Sequence, residues 1–585
     1  MVFLFEDRRG GATPLARFLP AGVAPNRADI VAFVMLTALV VLIGHGAAQM
    51  VQPLSKLVIE PVSLDPARLP EYALRTTLRM FLGLGASLIF TFVFATLAAK
   101  SKKAEMVIVP MLDILQSVPV LGFLTFTYAF FLSLFPGSQL GAECAAVFLI
   151  FTSQAWNMAF SFYQSLRTIP NDLGEVSQQF GLSPWRRFIR LELPFATPAL
   201  VWNMMMSMSG AWFFVVVSEA FTVGKTTITL PGIGSYIAVA EDHQDLRAVG
   251  YAVAVMGVVI LAYDQLFFRP IVAWADKFRF EQTASQEEPQ SWLYNLIRRT
   301  KVMRMLASPL SWPAMLLTKI DWKPRAPKIE IQIGPRTSQA IDTVWLGVIS
   351  VLVVVAVWFI GDFIMRTVTL DEVGKTFLFG FATLARVVVM IAIASVIWVP
   401  IGVWIGLNPK WAERLQPVAQ FLAAFPANVL FPFAVMLIAG LRLDPNIWLS
   451  PLMVLGAQWY ILFNVIAGAS ALPNDLKEAV SLFHVRSWQW WRRFALPGIF
   501  PYYVTGAITA SGGAWNASMV AEYVTWGGKH FEATGLGSYM AQQSADGDYH
   551  RVALAVVVMS LFVVLFNRLL WRPLYRFGER RLRID

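Results

Sequence analysis

Pro170-Asn171-Asp172-Leu173 returns 303 residues later as Pro473-Asn474-Asp475-Leu476. The same interval carries Trp156 to Trp459, Glu175 to Glu478, Pro194 to Pro497, Trp212 to Trp515 and Glu219 to Glu522. It also carries Gly234-Ser235-Tyr236 to Gly537-Ser538-Tyr539 and Arg269-Pro270 to Arg572-Pro573. A fixed internal period constrains the fold more than any local pattern, because both copies must build the same unit. Thr76, Arg79, Pro110 and Pro119 meet Thr383, Arg386, Pro417 and Pro426 at an interval of 307, so the second copy lacks four residues between these two sets of matches.

The unit belongs in a membrane. Of the 585 residues, 57% are hydrophobic and 14% charged, against about 25% charged in soluble domains. Apolar runs of roughly 20 residues, each long enough to span a hydrocarbon core as a helix, fall near 30–49, 76–98, 107–133, 143–163, 195–221 and 246–267. In the second copy they fall near 342–362, 377–405, 416–440, 446–468, 498–524 and 551–570. The reading is an all-α polytopic membrane protein with about twelve helices, as two tandem six-helix repeats related by a pseudo-two-fold axis. Residues 1–270 form the first repeat, 271–340 a polar linker and 341–585 the second repeat. Alternating ten-residue strands of a membrane barrel are not visible.

The net charge of +10 is concentrated in Lys100, Lys102, Lys103, Arg186, Arg187, Arg190, Arg298, Arg299 and the C-terminal arginines. All these segments fall on one side of a six-span count, which the positive-inside rule makes cytoplasmic, with both termini and the linker. The charge thus faces a membrane surface and lipid; no nucleic-acid partner is expected. The first apolar run lacks a small-residue cleavage site and reads as a retained helix. Trp292 to Ile297 in the linker forms an amphipathic stretch suited to the membrane surface. Cys144 is the only cysteine, so no intrachain disulfide forms, and no Cys/His spacing suggests a metal.

Between the fourth and fifth spans of each repeat runs a polar segment, 171–194 and 474–497. Asp172 followed by Glu175 resembles a capping box, Gly181 suits a left-handed helix stop, and Pro194 suits the first turn of the next helix. The expected product is a short helix, a turn and a second short helix across the membrane surface. Glu175-Val176-Ser177, three residues, Gly181, nine residues, Leu191, one residue and Leu193-Pro194 resemble the coupling loop of binding-protein-dependent ABC importer permeases. The second copy carries Glu478, His484 and Pro497 at the corresponding places.

This resemblance covers nearly the whole chain. It implies a permease subunit of the bacterial inner membrane, without enzymatic activity of its own. Two ATPase subunits would dock on the loops and use ATP and Mg, and a periplasmic or lipid-anchored solute-binding protein would deliver substrate. The chain itself would bind no cofactor, and it has no GxxxxGK[ST] phosphate loop. Glu175, Gly181, Pro194, Glu478, His484 and Pro497 are the ATPase-coupling candidates. His484 in place of glycine predicts a strained or altered second turn, since a left-handed L-residue costs about 1–2 kcal/mol.

Thr-x-x-Arg, Trp-x6-Glu and Gly-x-Gly, present twice, resemble the nitrate, sulfonate, taurine and bicarbonate group, here as a fused dimer associated with anion import. Substrate-pathway candidates are Arg79, Gln116, Ser117, Asn157, Asn203, Ser207, Arg386, Gln420, Gln458, Asn464, Ser511 and Asn516. Arg79 and Arg386 are expected either to attract an anion or to snorkel outward; Glu219 and Glu522 are expected to hold a nearby cation or backbone donor. Pro119 and Pro426 would kink their spans. A secondary transporter with repeated halves is the alternative and would require ion sites at broken helices. A membrane enzyme fits less well, because Asp113 and the five histidines are scattered.

Overall fold

The computed structural model describes residues 62–117, 119–223, 226–278, 291–300 and 335–581, with isolated positions between 30 and 44. The expected span near 30–49 falls largely outside the described residues. Seven described helices are long and apolar enough to cross a membrane, and an eighth is added if one bent pair is a single span.

In the first copy the order is α1 (Pro66–Lys100), α2 (Lys102–Ser117), α3 (Val120–Leu134), α4 (Gln139–Arg167), α5 (Asn171–Gln179) and α6 (Leu193–Glu219). A hairpin of β1 (Ala220–Val223) and β2 (Thr226–Thr229) follows, then α7 (Ile233–Asp242) and α8 (Leu246–Phe278). The linker contributes α9 (Trp292–Arg299). The second copy runs α10 (Pro335–Met365), α11 (Leu370–Gly406), α12 (Pro409–Ala424), α13 (Ala427–Gly440), α14 (Pro445–Val454) and α15 (Gln458–Ser470). It ends with α16 (Asn474–Leu482), α17 (Leu496–Ala521), β3 (Tyr523–Trp526), β4 (Lys529–Glu532), α18 (Leu536–Asp546) and α19 (Tyr549–Gly578).

Three expected spans differ in form. The runs near 107–133 and 416–440 are not single kinked helices. Each is broken, α2 from α3 at Pro119 and α12 from α13 at Pro426, where both prolines adopt extended backbone. At the second break Phe425, before Pro426, is extended, as the clash with a following proline ring favours, so the chain stops and restarts. The run near 446–468 is the bent pair α14 and α15, at 42°. The two four-residue antiparallel hairpins are additions to the all-α expectation.

Two wide turns repeat with the sequence. Helical turns of π type occupy Phe188–Glu192 and Trp491–Ala495, then Asp264–Phe268 and Asn567–Trp571, all at the interval of 303. Each ends shortly before a proline: Pro194, Pro497, Pro270 or Pro573. Proline lacks an N–H and crowds the carbonyl four residues back; the wider turn accommodates that gap while the helix continues.

By compactness the chain forms two units: 1–48 with 164–202 and 262–331, and 49–163 with 203–261 and 332–585. Within the first, the end of α8 packs on α9, whose Ser291 cap accepts from the Tyr294 N–H at 3.2 Å and whose Leu293 is buried. Within the second, the core gathers α3, α4, α11, α15, α17 and α19 around Tyr128, Leu149, Ile461 and Trp515. Its polar ties cross between the copies. The Asn516 side-chain oxygen accepts from the Val120 N–H at 2.7 Å, and Asn428 donates to the Phe213 carbonyl at 3.2 Å. The hairpins cross as well: β1 packs on α18, and the Gly527 N–H in the β3–β4 turn donates to the Glu241 carbonyl of α7 at 3.2 Å.

Candidate functional site

The matched Thr-x-x-Arg, Trp-x6-Glu and Gly-x-Gly signatures converge into one buried cluster per copy. In the first, Arg79 of α1 spends all five guanidinium hydrogens. Nε and Nη2 grip Glu143 at 2.6 and 2.7 Å, Nη1 donates to Glu219 at 2.7 Å, and both terminal nitrogens reach the Pro231 carbonyl at 3.1 Å. Thr76 donates to Glu219 at 2.7 Å and accepts from the Ile233 N–H at 3.0 Å. The second Glu219 oxygen accepts from the Gly234 N–H at 2.7 Å, tying α6 to the first turn of α7. Glycine is required there: a Cβ on Gly234 would lie 2.3 Å from the Val216 carbonyl oxygen.

The second copy repeats this with one change. Thr383, Arg386, Glu522 and Gly537 keep the same roles at 2.7 to 2.9 Å. Glu143, however, is replaced by Asn446 at the interval of 303. Arg386 reaches the Asn446 carbonyl at 3.3 Å and its side-chain oxygen only at 3.4 Å. One cation thus faces two carboxylates in the first copy and one in the second. The Arg79 side chain is fully buried, whereas Arg386 keeps 14% exposure.

This geometry corrects the expectation for the arginines. Arg79 neither snorkels nor offers a free hydrogen to a passing anion, because burial makes full pairing obligatory and both carboxylates are within reach. Arg386 is tied to Glu522 and to the Thr534 carbonyl at 2.9 Å. Glu219 and Glu522 each hold a cation and a backbone donor. Glu143 is the member of the cluster that sequence reasoning missed; its mismatch with Asn446 at the repeat interval was the available signal.

The neutral pathway candidates are mostly engaged within and between helices. Asn157 donates to Ser207 at 3.1 Å, Asn203 to Ser161 at 2.7 Å, and Asn464 to the Tyr460 carbonyl at 2.8 Å. Gln458 accepts from the Trp398 indole at 2.9 Å, and Ser511 is buried in α17. Gln116 is exposed at the end of α2, while the side chains of Ser117 and Gln420 lie outside the described residues. Asn516 alone of these candidates lines a cavity of about 100 Å³ between the copies, with Ser209, Gly210, Phe213, Pro426 and Tyr460 among its walls.

The paired polar segments form the second candidate site. Asp172 and Asp475 do not cap their helices: Pro170 and Pro473 occupy the cap positions, and the acids stand in the first turn, where they still oppose the helix dipole. Both helices end alike. In the first, the Gly181 N–H donates to the Gln178 carbonyl at 2.8 Å and the Leu182 N–H to the Ser177 carbonyl at 3.1 Å. In the second, His484 donates to Ser481 and Val485 to Val480, each at 3.1 Å. This is the paired carbonyl closure of a Schellman end, with φ of 62° at Gly181 and 48° at His484. The histidine therefore keeps the turn and bears the strain. The copies diverge a few residues later. The Ser183 hydroxyl caps the next helix by accepting from the Arg186 N–H at 3.4 Å, whereas Arg486 caps nothing and Ser487 takes a second left-handed φ of 54°. Glu175 and Glu478 are exposed. At each helix end a phenylalanine, Phe180 or Phe483, stands 77% or 81% exposed; neither stands out from the sequence alone, though their interval is again 303.

Residues 91–268 and 398–583 each match the family described as binding-protein-dependent transport system inner membrane component. Relatives include a nitrate import permease protein of Leptolyngbya laminosa, 26% identical over 188 residues. A bicarbonate transport system permease protein of Synechococcus elongatus is 27% identical over 188 residues. Each alignment covers 32% of this chain and 64% of the relative. A glycine betaine/carnitine transport permease protein of Listeria monocytogenes is 27% identical over 174 residues, 29% of this chain and 56% of the relative. The chain thus spans just under two thirds of the length of the nitrate and bicarbonate permeases it matches.

Proposed function

The chain belongs to the binding-protein-dependent transport system inner membrane component family, twice over, and on that premise we propose that it forms the two-fold permease of an ATP-driven importer. The observation that carries this reading is the pair of exposed helices ending in Phe180 and Phe483. A large apolar side chain at the closed end of a helix that also carries an exposed glutamate suits insertion into a cleft of a partner. Two ATPase subunits on the cytoplasmic face are the partners of that shape, with ATP and Mg held by them. A solute-binding protein delivers substrate at the opposite face, and both termini are cytoplasmic.

The substrate class is a small anion such as nitrate or bicarbonate, in keeping with the names of two of the relatives. ATP-driven closure of the partners draws the coupling helices together, and the copies rock to open outward. Secondary transport would call for a carboxylate inside a span that is free to take a proton or ion; among the described residues the buried Glu143, Glu219 and Glu522 are committed to arginine, and Glu241 lies in the short α7, outside the long apolar helices.

The test is reconstitution in proteoliposomes with its cognate ATPase and solute-binding protein. ATP-dependent nitrate or bicarbonate uptake, abolished by Phe180→Ser with Phe483→Ser, is expected. Uptake that persists without the ATPase and collapses with the proton gradient would refute the reading.

A further inference from the structure

The cavity between the copies is lined almost wholly by small and aromatic residues, and no lysine, arginine, aspartate or glutamate is among the described residues around it. Its volume of about 100 Å³ has room for several waters or one small ion. Two polar groups of its walls have unused hydrogen-bonding capacity. The Tyr460 hydroxyl has no hydrogen-bond partner among the described residues and lies against Gly210, where an added Cβ would stand 3.3 Å from it. Asn516 donates one amide hydrogen to the Gly512 carbonyl at 3.0 Å and keeps the other, while its oxygen is taken by the Val120 N–H. The site therefore offers two side-chain donors, the Tyr460 hydroxyl and one Asn516 amide hydrogen, while the Ser209 hydroxyl hydrogen is spent on the Met205 carbonyl and the Asn516 oxygen is engaged; the hydroxyls keep acceptor capacity as well.

Donors without a countercharge select an acceptor-rich ligand of low charge, because a buried multivalent ion would lack the pairing it requires. We propose that the Tyr460 hydroxyl, with the Asn516 amide, is the contact by which the pathway recognises a monovalent oxyanion. This rests on the anion-import reading above and assigns its specificity-determining residue. The contact is one-sided. The counterpart of Tyr460 at the interval of 303 is Asn157, already bonded to Ser207, so the substrate is held by the second copy, off the pseudo-two-fold axis. Any side chain at Gly210 would press on the hydroxyl.

The experiment is a double-mutant cycle in the reconstituted importer, with nitrate and bicarbonate as probes. Tyr460→Phe keeps the ring and removes the donor; it is expected to lower anion uptake at saturating substrate about tenfold while ATP hydrolysis persists, so that ATP consumed per anion rises. Tenfold corresponds to about 1.4 kcal/mol, the scale of one hydrogen bond. Gly210→Ala is expected to impair uptake in the parent and to add little in the Tyr460→Phe background. Parent-like uptake and ATP-to-anion ratio in Tyr460→Phe would overturn the assignment. A parent complex that moves neither anion would instead overturn the import reading beneath it.

Discussion

Replacing Glu143 by glutamine isolates the one chemical difference between the two buried clusters. Glu143 accepts two charge-assisted bonds from Arg79, at 2.6 and 2.7 Å, and such bonds contribute about 1.5–3 kcal/mol each. Glutamine keeps the shape and one acceptor, but turns its NH2 group toward a guanidinium hydrogen, donor against donor. Against this, one buried carboxylate no longer has to be desolvated. Breaking one side of a buried pair costs about 3–5 kcal/mol, and Arg79 retains Glu219, so the net expectation is a loss of about 2–4 kcal/mol. Asn446→Asp in the second copy should change stability by less than about 1 kcal/mol, because Arg386 is partly exposed and a solvated pair contributes little. Thermal unfolding in lipid nanodiscs, followed by tryptophan fluorescence, reads the difference. At about 2–4 °C per kcal/mol for a unit the size of one repeat, Glu143→Gln should lower Tm by roughly 4–16 °C. A drop below about 1 °C, or an equal response to both substitutions, would refute the claim that the first cluster is the tighter one.

Three further outcomes follow from single positions. Gly537→Ala places a Cβ 2.3 Å from the Ser518 carbonyl oxygen; it should push α18 off α17 and cost at least about 2 kcal/mol, seen as poor yield and a lowered Tm. His484→Gly should relieve left-handed strain of about 1 kcal/mol and leave ATPase activity in the reconstituted complex largely intact, whereas Gly181→His should depress it; equal effects would show the two turns to be equivalent. Burial, then the neighbouring Asp242, pushes the Glu241 carboxyl up from its ordinary 4.5 to about 8. The folded chain therefore holds that proton more tightly than the unfolded one. Its contribution is full below pH 4.5 and is lost as pH rises through about 8; Glu241→Gln should flatten Tm across that window.

The period of 303 made the duplication and the paired polar segments legible, because identical spacing forces identical units whatever their contacts. Pro119 and Pro426 were visible as interruptions, but whether a proline bends a span or ends it depends on how the backbone groups at the break are satisfied; after Pro119 the Val120 N–H is taken by Asn516, 396 residues away. The arginines were legible as a pair and not as a lock, since Glu143 and Pro231 reach Arg79 from 64 and 152 residues away. Tyr460 was hidden for another reason. One tyrosine in an apolar helix looks like packing until Gly210 is found across from its hydroxyl.

The two hairpins have a mechanical meaning. Each is a finger belonging to one copy and gripped by the other, β1 by α18 and the β3–β4 turn by α7. Clasped hands do not come apart a single finger at a time along a shared axis; loosening either grip shifts the load to its mate. In the proposed rocking motion, parting the copies at the hairpins is an unclasping in which both fingers slip together, a single-action catch.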